Sequence, residues 1–478
     1  MSVLIHRIQD HRVLKWTLVL LSVIFGGYLL GKWSLEPGKI RLLIFLGLLL
    51  LALPLAVRNP RVLMFSLLVY LPFLGFFRRM LIPVSGWSSY DPLVIFAPVV
   101  ILMMGFFWMY RTYIGRQGIP KEDDTYLFKL VRWMIIIDLI QVVNPLQGSI
   151  LTGFGGIMFY VVPLFWMVLS RLYMTEVWLK RIYGTICGIA VIASLYGLKQ
   201  ITYGFAQFER IWIEIAGYAA LIIGDGSRAF SFFTNAAEYT SFLVVSVVIL
   251  WVYLLRGHVV QRLCAVLILP LLLYSIFMQS SRTPVFLTAL ALAVVTVVHA
   301  KTTAGRLLSL LIMAGVLMAA FMGISRIESS NELIAHQVNG LANPLDEEHS
   351  TAGIHAAMFV NGMIKGVMNP IGHGLGSTTL AGAKLSDSGD SSEVDLSNMM
   401  ISTGILGGLV YGLILLETLR RAFKMAHSQT TVLIILGILI ATIGAWSNGG
   451  NYSVCALIWL SIGFLDKLTL TQGGNRQT

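Results

Sequence analysis

Long apolar runs alternate with short polar interruptions along the chain, and the length of the runs sets the architecture. A helix needs about 20 mostly apolar residues to cross about 30 Å of hydrocarbon. By that measure fourteen segments are expected to span: 14–30, 41–57, 61–77, 92–110, 126–143, 152–170, 182–202, 236–255, 260–278, 284–299, 307–323, 397–416, 429–446 and 450–465. The pairs at 41–77 and 260–299 rest on very short connections. Two long polar stretches break the pattern. They divide the chain into spans over 1–202, a loop at 203–235, spans over 236–323, a large loop at 324–396, and the last spans with a tail over 397–478. The predicted fold is all-α, a polytopic membrane bundle.

Composition agrees. Of 478 residues, 57% are hydrophobic and 12% charged, against about 25% charged in a soluble domain. This excludes a water-soluble fold, a disordered chain, a collagen and a disulfide-stapled module. Cys187, Cys264 and Cys455 lie far apart within apolar runs, with neither disulfide nor metal-ligand spacing. Arg7, Arg12 and Lys15 precede an apolar run from Trp16 that lacks a small-residue cleavage site, so it is expected to stay as a first span.

The net charge of +11 reads as an excess of basic residues at cytoplasmic helix ends, not as a nucleic-acid surface. With the N-terminus inside and strict alternation, most Lys and Arg fall on the inner side. The connections 144–151 and 447–451, with no basic residue, fall outside. Both termini are then cytoplasmic. Both long polar stretches face outward, away from ATP and nucleotide sugars.

On that outer side two arginines stand against the charge bias. Arg228 lies in Gly226-Ser-Arg-Ala-Phe, and Arg282 in the turn Gln279-Ser-Ser-Arg-Thr-Pro284. Arginine suits a diphosphate because its planar fork donates hydrogen bonds in pairs and keeps its charge. Either could instead snorkel or pair with a carboxylate. In the large loop, Gly353 to Pro370 carries Ile354, Met358, Phe359, Met363 and Val367 at helical spacing, an amphipathic helix. It is followed by Ile371-Gly-His373-Gly374-Leu-Gly376 and the acids Asp387, Asp390, Glu393 and Asp395. Gly374 and Gly376 could approach a substrate or simply allow a tight backbone path. Glu393 and Asp395 could act as general base for a sugar hydroxyl or complement a helix dipole. His355 and His373 are candidate helpers. Glu238 could bind sugar or cap its helix. Arg132 is expected to snorkel and Asp138 to bond a neighbouring helix; no metal site is expected.

Together these residues resemble the O-antigen polymerase/ligase superfamily, which holds Wzy-type polysaccharide polymerases and O-antigen ligases. The likeness runs from Arg228 to about Tyr411. It rests on the Ser-Arg turn, the late outer loop with its amphipathic helix, Asn369-Pro-Ile-Gly-His-Gly-Leu-Gly376, and Thr403-Gly-Ile-Leu-Gly-Gly408 in the next span. The resemblance implies a GT-C-like, lipid-dependent, metal-independent glycosyltransferase of the bacterial cytoplasmic membrane, using no cofactor. Its substrate would be an undecaprenyl-diphosphate-linked oligosaccharide, and its partners a chain-length regulator and a flippase. Arg228 and Arg282 match the family's outer arginines, thought to hold the diphosphate. His355 stands where many members have Arg. Glu393-Val394 stands where ligases carry His-Asn, which favours a polymerase, with an acid as base. A ligase that uses another acceptor and a transporter or flippase of the precursors are the alternatives.

Overall fold

The structure is a computed structural model. It describes residues 31–33, 36–88, 90–115, 124–216, 222–223, 226–329, 331–343, 352–386, 391–447 and 450–474, with positions 17 and 27. Among them eleven helices are long and apolar enough to cross a membrane. The protein is an all-α, multi-spanning membrane protein by length and composition of its helices.

The helices are α1 (Ile40–Arg58), α2 (Pro60–Met80), the short α3 (Ile82–Ser85), α4 (Pro92–Met109), α5 (Tyr126–Gln141), α6 (Ile150–Tyr173), α7 (Glu176–Tyr203) and α8 (Gln207–Ala216). After a two-residue hairpin, β1 (Ile222–Ile223) with β2 (Gly226–Ser227), come α9 (Ala236–Arg256), α10 (Val259–Phe277), α11 (Arg282–His299), α12 (Thr303–Ile324), α13 (Glu332–Ala342), α14 (Ala352–Met368), α15 (Leu380–Leu385), α16 (Asp395–Ala426), α17 (Thr430–Ala441) and α18 (Tyr452–Gly474). The short connections expected within 41–77 and 260–299 do separate helices. Asn59 alone divides α1 from α2, and Pro60 starts α2, where its missing N–H costs nothing. Eleven of the fourteen expected spans meet the length criterion. The expected span 14–30 falls almost wholly outside the described residues. The other two are helices too short to meet it: α5 has 16 residues and α17 has 12.

The polar stretches are more ordered than their composition indicates. The 203–235 loop holds α8 and the hairpin. The 324–396 loop holds α13, in a stretch expected to be merely polar, then the expected amphipathic helix as α14, then α15. Gly362 and Gly366 let α14 lie tight on the start of α16, since a Cβ at Gly366 would stand 2.6 Å from Met400.

Connections sort to the two ends of the bundle as alternation requires. At one end Asp466 is buried, ion-paired with Arg171 at 3.3 Å and with Arg421, and accepts from Thr125 Oγ1 at 2.7 Å. Nearby Arg256 donates to the Ala426 carbonyl, so α5, α6, α9, α16 and α18 are tied there. At the other end lie the two long polar stretches and the turns at 81–91, 142–149, 278–281 and 442–451. Although α17 rises only about 18 Å, it bridges both ends, from Thr431 bonded to Glu176 to Gly444, whose carbonyl accepts from the Asp395 N–H.

The helix break in α16 places the loop-rich end. Gly404 has φ 68° and ψ −166°, inside what is otherwise one helix. Only glycine adopts that backbone without strain. The carbonyls orphaned there are taken by the glycine-rich loop: His373 N–H donates to Ile401 O at 2.8 Å and Gly374 N–H to Ser402 O at 3.0 Å, while Ile405 N–H donates back to Pro370 O at 3.2 Å.

Candidate functional site

A cavity of about 600 Å³ opens among the polar connections. Its walls come from residues far apart in sequence: Arg78 in the last turn of α2 and Trp87 beyond it, Phe159 and Tyr160 on α6, Thr234 and Asn235 before α9, Thr378 and Thr379 before α15, Glu393 and Asn398 around the start of α16, and Ser447 and Asn451 before α18. Amides, hydroxyls and aromatic rings thus surround one cation and one carboxylate.

Arg78 is the cation. Asp91 holds it at 3.0 Å and also pairs with Arg41, while the Leu93 N–H is capped by the same carboxylate at 3.0 Å. Its guanidinium sits 4.6 Å above the Trp87 ring. A buried arginine, Arg41, and a partly exposed one, Arg78, thus share one buried aspartate, which leaves a net positive charge at the wall. Lys384 on α15 feels that charge: desolvation, joined by the charge of Arg78, lowers its pKa below the ordinary lysine value. Neighbouring Arg79 is not a ligand group. It is 1% exposed and donates to the carbonyls of Phe233 and Ser231, clamping the Arg228–Asn235 segment to α2. Gln200 clamps the same segment from α7, its Oε1 accepting from the N–H groups of Phe230 and Ser231.

Glu393 is the carboxylate. It lines the cavity and pairs with His355 Nδ1 at 2.6 Å. Both side chains are about half exposed. Glu393 has φ 64°, a left-handed backbone that a non-glycine residue adopts at a cost of about 1–3 kcal/mol. Two candidates from the sequence thus meet as one dyad.

The remaining candidates lie elsewhere. Asp395 is 3% exposed, absent from the cavity wall, and its Oδ2 accepts from the Ser447 N–H at 2.9 Å and from Tyr411 Oη at 3.1 Å. The expected base is here a tie between the start of α16 and the 442–451 turn. Glu238 is fully buried; Oε1 accepts from the N–H and hydroxyl of Ser453, and Oε2 from the Thr234 N–H. Asn235 caps α9, its Oδ1 accepting from the Glu238 N–H, and the Glu238 carboxylate sets Thr234 at the wall. Gly374 and Gly376 are buried, and a Cβ on Gly374 would strike Gln147 and one on Gly376 Thr152; they fit loop to helix and do not line this cavity. His373 bonds the Ile401 carbonyl. Asp387 and Asp390 lie outside the described residues.

Arg228 and Arg282 come together, though not on the cavity wall. Arg228 Nη2 donates to Ser280 O at 2.9 Å, and Arg282 Nη2 lies 3.2 Å from His336 Nε2. Arg282 packs flat on Gly340 of α13. Around them Gln279, Ser280 and Gln337 are buried. Both amide atoms of Gln279, Ser280 Oγ and Gln337 Oε1 have no hydrogen-bond partner in the described structure. Unsatisfied polar atoms at that density cost free energy unless a further polar group meets them.

Within the bundle, Arg132 pairs with Asp124 as a snorkelling side chain would. Asp138 differs from expectation: it is fully buried and neither carboxyl oxygen has a partner among the described residues. It stands one turn before Gln141, whose amide bonds the Ile371 carbonyl of the inserted loop. Tyr160 Oη, Thr378 Oγ1 and Ser402 Oγ form a hydroxyl chain from the cavity wall to the helix break, with links of 2.6 and 2.7 Å. Among the described residues no three His, Cys, Asp or Glu side chains gather as metal ligands.

Arg78 was readable in principle. In the orientation expected from the charge bias, Arg78 and Arg79 end a span on the side where basic residues are disfavoured, the same signal that singled out Arg228 and Arg282. Trp87, Asn235 and Asn398 carry no comparable signal. No protein-family model matches the chain, and no curated protein is similar to it at a significant level.

Proposed function

We propose that the protein is a membrane glycosyltransferase that joins lipid-diphosphate-linked oligosaccharide repeat units on the outer face of the bacterial cytoplasmic membrane. The observation that carries the reading is the cavity: a fixed guanidinium on one wall, an exposed Glu–His pair on another, and amides, hydroxyls and aromatic rings between them. Such a lining suits a sugar, whose hydroxyls need donors and acceptors and whose ring faces are apolar.

In this reading the acceptor sugar hydroxyl attacks the anomeric carbon of the donor. The bond from that carbon to the diphosphate oxygen breaks as the new glycosidic bond forms. The hydroxyl proton passes to the Glu393 carboxylate, oriented by His355. Negative charge grows on the departing lipid diphosphate, and Arg78 opposes it across the cavity. Arg228 and Arg282, with the unsatisfied amides around them, offer a second seat for phosphate oxygens. No nucleotide sugar is needed, because the donor already carries its leaving group.

The test is turnover in liposomes with lipid-linked repeat units alone, read as a ladder of products. Glu393→Gln should lower the rate by about 100-fold or more with folding intact. A rate within about threefold of wild type removes Glu393 as base. Transfer only when another acceptor lipid is supplied makes the protein a ligase. One observation favours transport: an unwound helix beside an unpaired buried carboxyl is how many transporters hold cargo. No transfer under either condition, with movement of the intact lipid across the liposome, selects that reading.

A further inference from the structure

At the end of the bundle away from the cavity, helix ends meet around Arg256 and the α11–α12 turn. Arg256 closes α9. Its guanidinium donates to His299 Nδ1 at the end of α11 at 2.9 Å, and to the carbonyls of Ala426 and His427 at the end of α16 at 3.0 Å each. Beyond His299, Arg306 of α12 folds back over the turn and donates to the Ala300 carbonyl at 3.3 Å. Lys301 lies in that turn with its side chain exposed.

These acceptors are all neutral. The charges that act on His299 are those of Arg256, Lys301 and His427, all basic groups. The acids described at this end, Asp124, Glu176, Glu417 and Asp466, are paired with other basic residues. Among the described residues, Arg256, Lys301 and Arg306 therefore have no carboxylate at ion-pairing distance. Both terminal nitrogens of Arg256 keep an N–H to spare, since each carries two. Apolar surface adjoins the cations. Val259 and Val260 at the start of α10 are 70% and 63% exposed, and Leu307 and Leu308 at the start of α12 are 59% and 58% exposed. Only 6% of the most apolar window of α12 is buried in the protein.

We propose that this corner binds the phosphodiester headgroup of an anionic phospholipid, whose acyl chains lie on the exposed flanks of α10 and α12. The inference is independent of the reaction proposed above. A soluble anion would answer the cations but leave the apolar side chains beside them uncovered. A zwitterionic lipid would cover those side chains but bring a further positive charge to a corner that already holds three. An anionic lipid does both.

The experiment is titration of the full chain in neutral detergent with short-chain phosphatidylglycerol, phosphatidylcholine of the same chain length, and glycerol phosphate, the bound molecules being counted by native mass spectrometry. Wild type should bind phosphatidylglycerol about tenfold or more tightly than phosphatidylcholine. Lys301→Gln with Arg306→Gln should bring the two lipids to within about threefold. Both side chains are exposed, so the double variant should melt with wild type in phosphatidylcholine. Lys301→Arg with Arg306→Lys keeps the charge and should keep the preference. Arg420→Gln removes an exposed but paired cation at the same end and should keep it too. Equal affinity of wild type for the two lipids overturns the proposal. So does a preference that survives the loss of Lys301 and Arg306, or one that Arg420→Gln removes as fully, because the general positive charge of that end would then suffice. Glycerol phosphate bound as tightly as phosphatidylglycerol would assign the corner to a soluble phosphate and overturn the lipid.

Discussion

Replacing Gly404 by alanine tests whether the break in α16 is built into the fold. The backbone there, at φ 68° and ψ −166°, lies in a region essentially reserved for glycine, so a side chain costs about 1–3 kcal/mol in strain. The added Cβ would overlap the Pro370 carbonyl oxygen and stand 2.6 Å from its carbon and 2.8 Å from Gly372 N. These are backbone atoms of the inserted loop and cannot rotate away, which adds about 1–3 kcal/mol of overpacking. Displacing the loop also breaks the Ile405 N–H to Pro370 O bond, worth about 1 kcal/mol. The sum is about 3–7 kcal/mol. Gly412, eight residues on in the same helix, is the control. A Cβ there meets only Leu396 Cδ1 at 3.8 Å, so Gly412→Ala should be neutral or stabilise by up to about 1 kcal/mol. Both variants would be followed by thermal unfolding of the detergent-solubilised protein. A Gly404→Ala protein that melts within about 1 kcal/mol of Gly412→Ala would refute the reasoning, and the second half of α16 would then have an alternative continuous path.

Asp91→Asn leaves Arg41 and Arg78 without their shared counter-ion and should cost about 3–5 kcal/mol of stability; adding Arg41→Met should restore part of that loss in a double-mutant cycle. Because the pKa of Lys384 is lowered by folding, the unfolded chain binds more protons just below the ordinary lysine range, and stability should rise with pH in that window. Lys384→Met should flatten that slope in unfolding curves taken across alkaline pH. Labelling of Ser386→Cys, in a background lacking the native cysteines, by a membrane-impermeant maleimide should occur on intact cells, and labelling of His258→Cys only after permeabilisation; the opposite pattern inverts the proposed orientation.

Hydropathy made most of the bundle legible because span length is fixed by the bilayer, and nothing local competes with twenty apolar residues in a row. It missed α13, whose residues Glu332–Ala342 are held by packing on the hairpin and on Arg282 rather than by a strong pattern. It also missed the break at Gly404. Thr403-Gly-Ile-Leu-Gly-Gly reads as a small-residue packing stripe, and only the loop that enters from 369–376 turns one glycine into a discontinuity. The sequence brought out Arg228, Arg282, Glu393 and His355; the fold pairs Glu393 with His355 and ties Arg228 to Ser280, two residues before Arg282. Sequence alone could not separate Glu393 from Asp395, two residues apart. One stands at a strained turn facing the cavity, the other at the first residue of a helix facing inward, and a single turn of backbone decides which.

The 442–451 turn has a bearing on how the protein comes into being. It accepts the Asp395 N–H at Gly444, gives its own Ser447 N–H to that aspartate, and takes the Asn235 amide at Gly450, with Ser453 just beyond it on Glu238. These contacts reach back about 50 and about 215 residues along the chain. The ribosome makes this turn after both of the segments it ties. Until it arrives, Asp395 lacks the Ser447 N–H and Glu238 lacks Ser453, and each keeps only its nearer partners, Tyr411 and Thr234. A chain truncated before this turn would therefore keep both segments but hold each less firmly than the full bundle does.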